Sequence, residues 1–548
     1  MYSICKEFNV NNLIDGFISS VEKYPDNNAL FVDGVYFSYR DLSGYVLGAQ
    51  DALDRADSGD CLIGIFSYRS LSMYAAILSI LYNGKGYVPL NPTFPSKKNI
   101  SILLKSNIKT IVTESSHLKV LLTILPEDGA TYTIIVLDRE IAGHKVISER
   151  HNILWVDKDG QDTEIGDQHG KTEKKTFCDT AYLLFTSGST GEPKGIAIKN
   201  SHILHLIEVM TNMYGFNQDD RFIQNADYSF DFSVAEIFLS FASGGCLYCT
   251  PKSQCMTPAR FVSENKITVW TSVPSVANFL SKFNLLKTNF FSSLRYAFFC
   301  GEPLLAETAE EFSTAAPNAK VINLYGPTEA AVFFTAYEFN SNLSECPNGV
   351  VPIGKPFDSL SVEVIGDLGQ PVENGDTGEL CLSGPQVVSS YWNNEELTHE
   401  KFVEETWDGH MKGLWYKTGD LVKFDKNGDL IFIGRTDDQL QISGYRVELG
   451  EIEHVLRAFA EIDRAVALAY SDYNDQKYII AFYDGKQLDK NELKKACNNN
   501  LPYYMVPKEF HFLETLPINK NGKIDKGKLA DWRRSTHGKN ENKTENEN

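Results

Sequence analysis

The sequence has no excess of basic residues. Across 548 residues, 52 Lys and Arg face 72 Asp and Glu, a net charge of −20, which argues against a nucleic-acid or anionic-membrane partner. No apolar run reaches membrane-spanning length. Met1–Glu7 opens no basic-then-apolar leader, so a soluble cytoplasmic protein is expected. The ten cysteines include no Cys-x-x-Cys pair, so neither a zinc site nor a disulfide framework is signalled. His202 and His205 have no third metal ligand near them and read as a helix face. A P-loop is also missing: Lys194 precedes a glycine, and a strand rather than a helix follows. A nucleophile elbow fails because Ser187 stands where a glycine is required before Ser189.

What is present is globular. The chain is 43% hydrophobic, 23% charged and 12% aromatic, and it is long enough for two or more domains. Its most informative stretch joins two apolar runs. Ala181–Phe185 reads as a buried strand and Ile196–Lys199 as another. Between them lie Thr186, Ser187, Gly188, Ser189, Thr190, Gly191, Glu192, Pro193, Lys194 and Gly195. Glycines let backbone N–H groups converge on an anion, and hydroxyls and a lysine add donors, so the loop is built to hold phosphate. The competing reading is a Ser/Gly-rich surface turn.

Around that loop, strands and helices alternate, which argues for parallel-rich sheets flanked by helices. Leu62–Phe66 reads as a buried strand and Tyr74–Tyr82 as a helix ending at Gly84. Gly86–Pro92 reads as an extended turn forced by prolines. Residues 139–178, and 151–176 above all, are polar and read as a surface excursion. A helix over His202–Met213 should be capped by Asn200 or Ser201 and stopped by Gly215. In Phe230-Asp-Phe-Ser233, a carboxylate sits between two phenylalanines. It is either a helix N-cap, a strand-end group or the partner of a cation. Val269–Ser275 and Phe298–Pro303 read as strand ends, where open parallel sheets bind ligands. Asn323-Leu-Tyr-Gly-Pro-Thr-Glu329 offers a flat ring, a hydroxyl and a carboxylate, suited to a base, a phosphate and a divalent cation. Tyr416–Asp420 puts a carboxylate after a glycine turn, suited to two ribose hydroxyls. Asp489–Glu492 resembles a capping box. Asn521-Gly-Lys523 is a tight turn presenting a lysine, and residues 533–548 read as a disordered tail.

These motifs, in this order over about residues 30–530, resemble the adenylate-forming superfamily, which includes acyl-CoA synthetases, luciferases and the adenylation domains of nonribosomal peptide synthesis. The resemblance implies a large N-terminal domain, 1–436, and a small mobile α+β domain, 437–532, hinged at Asp437. It implies that ATP and Mg2+ take part. The nucleotide would meet the 186–194 loop together with Gly301, Glu302, Asn323, Tyr325, Gly326, Asp420 and Arg435. Tyr325 would stack on adenine, Thr328 would contact the α-phosphate, Glu329 would hold Mg2+, and Asp420 would bind the ribose. Lys523 would be the catalytic lysine, selected over Lys520.

Asp231 matches the residue that binds the α-ammonium in amino-acid-activating members. The matching pocket is Asp231, Phe232, Ala235, Thr271, Phe298, Cys300, Leu324, Val332 and Phe333. Val269–Ser275 and Phe298–Glu302 are similar to D-alanine–carrier protein ligases, in which a cysteine matching Cys300 narrows the pocket. Those enzymes have a larger residue at Ala235 and a smaller one at Phe333. The implied activity is adenylation of a small amino acid such as D-alanine, then transfer to the phosphopantetheine thiol of a carrier protein in trans, since no carrier-like serine segment follows residue 532. The alternatives are an acyl- or aryl-CoA synthetase, which Asp231 disfavours, and a non-catalytic relative.

Overall fold

Apolar runs of four to seven residues, too short for helices and rich in Ile, Val, Leu and aromatics, form the strands of two large sheets. The structure is a computed structural model. It describes residues 12–56, 59–127, 129–138, 150–156, 178–188, 192–341, 346–367, 369–405, 413–437, 439–442, 445–471, 477–518 and 524–533. These fall into two compact units. The first comprises residues up to Thr93, Asn99–Thr186 and Pro193–Asp437, and the second Phe94–Lys98, residues 187–192 and those after Asp437.

In the first unit, an eight-stranded sheet has at its centre Leu62–Phe66, Gly86–Leu90 and Thr180–Thr186, followed by Lys194–Lys199. Leu62–Phe66 is buried at every position. Thr180–Thr186 and Lys194–Lys199 are antiparallel, with Thr186 opposite Lys194, so the glycine-rich stretch is the loop of a hairpin. Two expectations are corrected here. Gly86–Leu90 is a fully buried strand rather than a turn. It pairs in parallel along Leu62–Phe66, while on its other side only Tyr87 pairs, opposite Tyr182. Pro89 lacks the N–H that a central strand uses, and the sheet accommodates it where that pairing has lapsed. Asn152–Trp155, expected within a polar excursion, is a further parallel strand beside Thr133–Val136. Residues 157–177 lie outside the described residues.

A nine-stranded sheet runs in parallel from Cys246–Cys249 through Arg221–Gln224, Val269–Ser272 and Tyr296–Phe299 to Lys320–Tyr325, and its edge then turns antiparallel at Thr335–Phe339. The Phe232–Ser243 helix is buried over nearly its whole length, as a helix with apolar residues on every side must be. The preceding helix, Asn200–Tyr214, does stop at Gly215 in the left-handed region, φ 59. Its start differs from expectation. Asn200 is already helical, and His202 Nδ1 accepts the Lys199 N–H at 3.2 Å. Asn200 is instead spent on long-range bonds to Leu13 and Asp179. A third sheet, from Ser361–Ile365 to Leu430–Arg435, is wholly antiparallel.

The second unit carries a hairpin, Gln439–Ile442 with Tyr445–Glu448. The Leu449–Arg457 helix follows, and then a three-stranded sheet in which Ile462–Ser471 and Lys477–Gly485 are antiparallel and Glu509–Phe512 is parallel. Asp489 caps the Lys490–Asn500 helix through the Asn491 N–H. The first unit is mixed α/β and the second α+β, with apolar cores of their own. The absence of a disulfide signal also gives way: Cys61 and Cys178 are bonded, with Cα atoms 5.5 Å apart. They are 117 residues apart in sequence, so no local spacing could announce them. Cys178 is brought in by its N–H bond to the Gly84 carbonyl. Among the described residues, no helix is long and apolar enough to cross a membrane.

Candidate functional site

One polar cluster gathers three of the expected nucleotide residues. Asp420 and Arg435 lie opposite each other on adjacent strands, Gly413–Phe424 and Leu430–Arg435. Tyr325, at the end of its own strand, donates its hydroxyl to Asp420 Oδ2 at 2.6 Å. Arg435 Nη1 donates to Asp420 Oδ1. Burial and then the adjacent Asp420 carboxylate push the Tyr325 phenol well above its ordinary range, so it remains a donor. Arg435 also grips Asp437 with two bonds, Nε to Oδ1 at 2.7 Å and Nη2 to Oδ2 at 2.8 Å. That fork geometry is the strong form of an arginine–carboxylate pair.

The neighbouring motif residues are distributed as follows. Asn323 donates its amide to the Val351 and Pro352 carbonyls at 3.1 and 2.9 Å. Its Oδ1 is buried without a hydrogen-bond partner, as is Thr186 Oγ1 at the foot of the phosphate loop. A buried polar atom left unpaired costs about 1–3 kcal/mol, and donors and acceptors on a nucleotide would relieve it. Thr328 is half-buried at the start of a 3-10 turn, Thr328–Ala330. Glu329 is fully buried and accepts the Tyr391 hydroxyl at 2.7 Å. Glu302 accepts the Ser275 N–H at 2.9 Å at the start of the Pro274–Lys282 helix, beside Gly301 in the left-handed region. Ser187 and Gly188 are described in the loop; Ser189, Thr190, Gly191, Lys520 and Lys523 lie outside the described residues.

The expected pocket residues converge from four elements. Thr271 and Phe298 are partners across adjacent parallel strands. Cys300 and Leu324 follow at the ends of theirs. Phe298, Cys300, Leu324, Ala235, Val332 and Phe333 belong to one buried apolar cluster, with Phe232 packed against it. The Phe232 and Phe333 rings meet edge to face, 5.3 Å between centroids. Asp231 occupies the residue before the Phe232–Ser243 helix, yet its side chain makes no capping bond, which removes the N-cap alternative for the carboxylate. Its charge is felt inside the cluster. Burial and then Asp231 push the Cys300 thiol up to about 12, and the same two causes raise the Tyr182 phenol. Asp231 directly precedes Phe232, so an acidic group adjoins the apolar lining.

Four residues that the sequence reading passed over support this arrangement. Glu236, one turn along from Phe232, accepts the Thr271 hydroxyl at 2.6 Å and the Asn225 and Ala226 N–H groups. Burial pushes its carboxyl up to about 7, opposed by those three bonds. Arg69 donates to the Asn225 and Ala226 carbonyls at 2.6 and 3.0 Å, so the segment leading to Asp231 is held from both sides. Gln386 and Tyr391 hold the Glu329–Phe333 segment. The apolar residues surrounding Glu236 on its helix signal that it is buried, whereas Gln386 lies in an irregular turn that carries no such signal. Nothing local indicated their partners.

Comparison with known proteins places these features in a family. The "AMP-binding enzyme" family model matches residues 17–392, and the "AMP-binding enzyme C-terminal domain" model matches residues 451–523. Tyrocidine synthase 1 of Brevibacillus parabrevis is 31% identical over 94% of this chain, and this chain spans 44% of that protein's length. For tyrocidine synthase 3 the share is 7%. Zwittermicin A synthase ZmaJ of Bacillus cereus is 31% identical, with 94% of each chain covered. The adenylation domain AlmE of Vibrio cholerae, solved with glycyl-adenosine-5'-phosphate, superposes with a TM-score of 0.83 at 29% identity, covering 96% of this chain and 98% of that one. IdnL7 superposes with a TM-score of 0.69 at 30% identity, covering 96% and 99%. These matches show that the chain belongs to the AMP-binding enzyme family of adenylate-forming ligases, and within it to the adenylation domains of the nonribosomal-peptide type.

Proposed function

We propose that this protein activates a small α-amino acid, with D-alanine and glycine as the leading substrates, and passes it to the phosphopantetheine thiol of a carrier protein in trans. The observation that carries the reading is the position of Asp231 immediately before Phe232, whose ring meets Phe333 in the apolar lining. A carboxylate there would bind an α-ammonium by a charge-assisted bond, and the two phenylalanine rings of the lining favour a small side chain. A fatty or aryl acid would bring no cation to that partly buried carboxylate. The glycyl-adenylate held by AlmE is of this substrate class.

In the first half-reaction, the substrate carboxylate attacks the α-phosphorus of ATP, forming the acyl-adenylate and releasing pyrophosphate. Asp231 orients the substrate by its ammonium, so that the carboxylate points toward the phosphate. Asp420 takes the ribose hydroxyls, with Tyr325 and Arg435 available to hold its oxygens, and Tyr325 presents its ring to the base. Thr328 donates to the α-phosphate. Glu329, a single buried carboxylate steadied by Tyr391, suits a cation held chiefly by phosphate oxygens. Mg2+ bound there would neutralise charge on the triphosphate. Lys523 stabilises the charge that develops on the transferring group, and Asp437 is the hinge about which the C-terminal domain exchanges Lys523 for the thiol. In the second half-reaction, the thiol sulfur attacks the acyl carbonyl and AMP leaves. The test is ATP–pyrophosphate exchange over a panel of L- and D-amino acids with a few fatty and aryl acids. Exchange confined to glycine or an alanine supports the proposal. Exchange driven by the aryl or fatty acids alone would overturn it.

A further inference from the structure

The backbone at Ala331 and Val332 is unusual. Both residues are in the left-handed region, φ 53 and φ 77. A β-branched residue there is a steric outlier, and such conformations cost about 1–3 kcal/mol each and persist only where the surroundings impose them. The turn cannot relax sideways, because a Cβ on Gly326 would stand 2.4 Å from the Val332 carbonyl oxygen, and the Phe334 N–H is tied to the Tyr325 carbonyl at 2.7 Å. The local bonds, Ala331 N–H to Thr328 and Phe333 N–H to Ala331, do not by themselves select φ 77 for a valine.

Gln386 supplies the missing constraint. It is fully buried. Its Nε2 donates toward the Phe333 carbonyl at 2.8 Å and toward the Ala330 and Ala331 carbonyls at 3.2 and 3.4 Å. Two hydrogens serve three acceptors, so Phe333 takes one and the other two share the second. Three carbonyls fix which end of the amide faces the turn. Oε1 therefore faces the other way, toward His205 Nδ1 at 2.9 Å, and that nitrogen carries the hydrogen it donates. Farther along the same segment, the Val388 N–H donates to the Glu329 carbonyl at 2.9 Å and Tyr391 to the Glu329 carboxylate. One stretch, residues 386–391, thus holds both ends of the Glu329–Phe333 segment.

We propose that Gln386, oriented by His205, is a positioning residue that sets amino-acid selectivity by holding the Ala331–Val332 turn in its left-handed form, so that Val332 and Phe333 stand at their places in the lining. This rests on the reading above that these two residues border the amino acid. Gln386 acts on the amino-acid side of the segment, and Tyr391 on the Glu329 side.

The test is ATP–pyrophosphate exchange by the purified full chain carrying Gln386→Met, which keeps the length and apolar contacts and removes both donors. The expected result is a KM for the preferred amino acid raised about tenfold, the factor that corresponds to one lost buried hydrogen bond. The KM for ATP stays within about twofold, and the preference over the next larger amino acid narrows. Val332→Gly is the control, since glycine adopts φ 77 without cost and removes a lining side chain. The double variant should be no worse than the poorer single one, because a glycine turn no longer needs the clamp. Two KM values moving together, or a lowered melting temperature with both unmoved, would overturn the positioning role. If Val332→Gly shifts the amino-acid KM and Gln386→Met does not, the positioning role alone fails. If Val332→Gly moves nothing, the lining itself is misread and the proposal falls with it. Should Gln386→Met not fold, His205→Phe gives the same readout, with about a threefold shift in the same direction expected and no shift contradicting it.

Discussion

The proposed nucleotide cluster and the proposed amino-acid lining are built on opposite plans. Tyr325, Asp420 and Arg435 satisfy one another directly, through short bonds between charged and hydroxyl groups. Each comes from a compact local motif. The lining is assembled from single residues on four elements and is held from behind, by Arg69 and Glu236 on one side and by Gln386 on the other. The first plan suits a ligand that never changes. The second lets selectivity move by substitutions that leave the nucleotide side alone. The two plans predict different responses to mutation.

The largest effect belongs to neither cluster. Lys523→Ala should lower the rate of adenylation by about a hundredfold or more, the scale of removing a donor aimed at developing charge, while ATP binding measured by calorimetry stays nearly intact. Equal loss of ATP binding would assign the lysine to the ground state. Next, Asp420→Ala should raise the KM for ATP more than about tenfold by removing a charged acceptor worth roughly 1.5–3 kcal/mol, with the amino-acid KM little changed. A matched rise in both would mean that the two sites are not separable. Tyr391→Phe is smaller. It removes one hydroxyl from Glu329 and should weaken Mg2+ dependence of the exchange by about threefold to tenfold, read from a metal titration.

A further effect is on stability rather than on activity. Burial and then Lys199 hold His202 down to about 4, against an ordinary 6.5. The unfolded chain therefore takes up this proton first as the pH falls, so stability is complete above about 6.5 and is lost progressively toward 4. His202→Gln keeps a side-chain acceptor for the Lys199 N–H and removes the titration. Melting curves from pH 7 to 4 should then flatten by on the order of 1–2 kcal/mol relative to the parent. An unchanged slope would mean that other groups carry the acid sensitivity.

The contrast between the two clusters also explains what could be read from the chain alone. Strands such as Leu62–Phe66, the hairpin around the phosphate loop and the stop at Gly215 follow from local chemistry, and all are present. The Tyr325 and Asp420 motifs were visible for the same reason, as contiguous residue types suited to one ligand. Tyr391 and Glu329 are 62 residues apart and Gln386 and His205 181 apart, so their pairing is a product of the fold. Pro89 within a buried strand, the Asn152–Trp155 strand and the Cys61–Cys178 bond were missed because tertiary context overrode the local preference or because the partner was distant. In sequence, Glu236 is only the one charged residue on a largely apolar helix, with nothing to indicate its bonds.

Asp231 is proposed to read an ammonium group. The most direct measurement compares alanine with propionate, which differs only in lacking that group, in ATP–pyrophosphate exchange by the parent and by Asp231→Ala. The parent should use alanine and nearly ignore propionate, and Asp231→Ala should lose at least about tenfold in alanine use with no loss for propionate. Equal use of the two acids by the parent, or an alanine preference untouched in Asp231→Ala, would contradict the account.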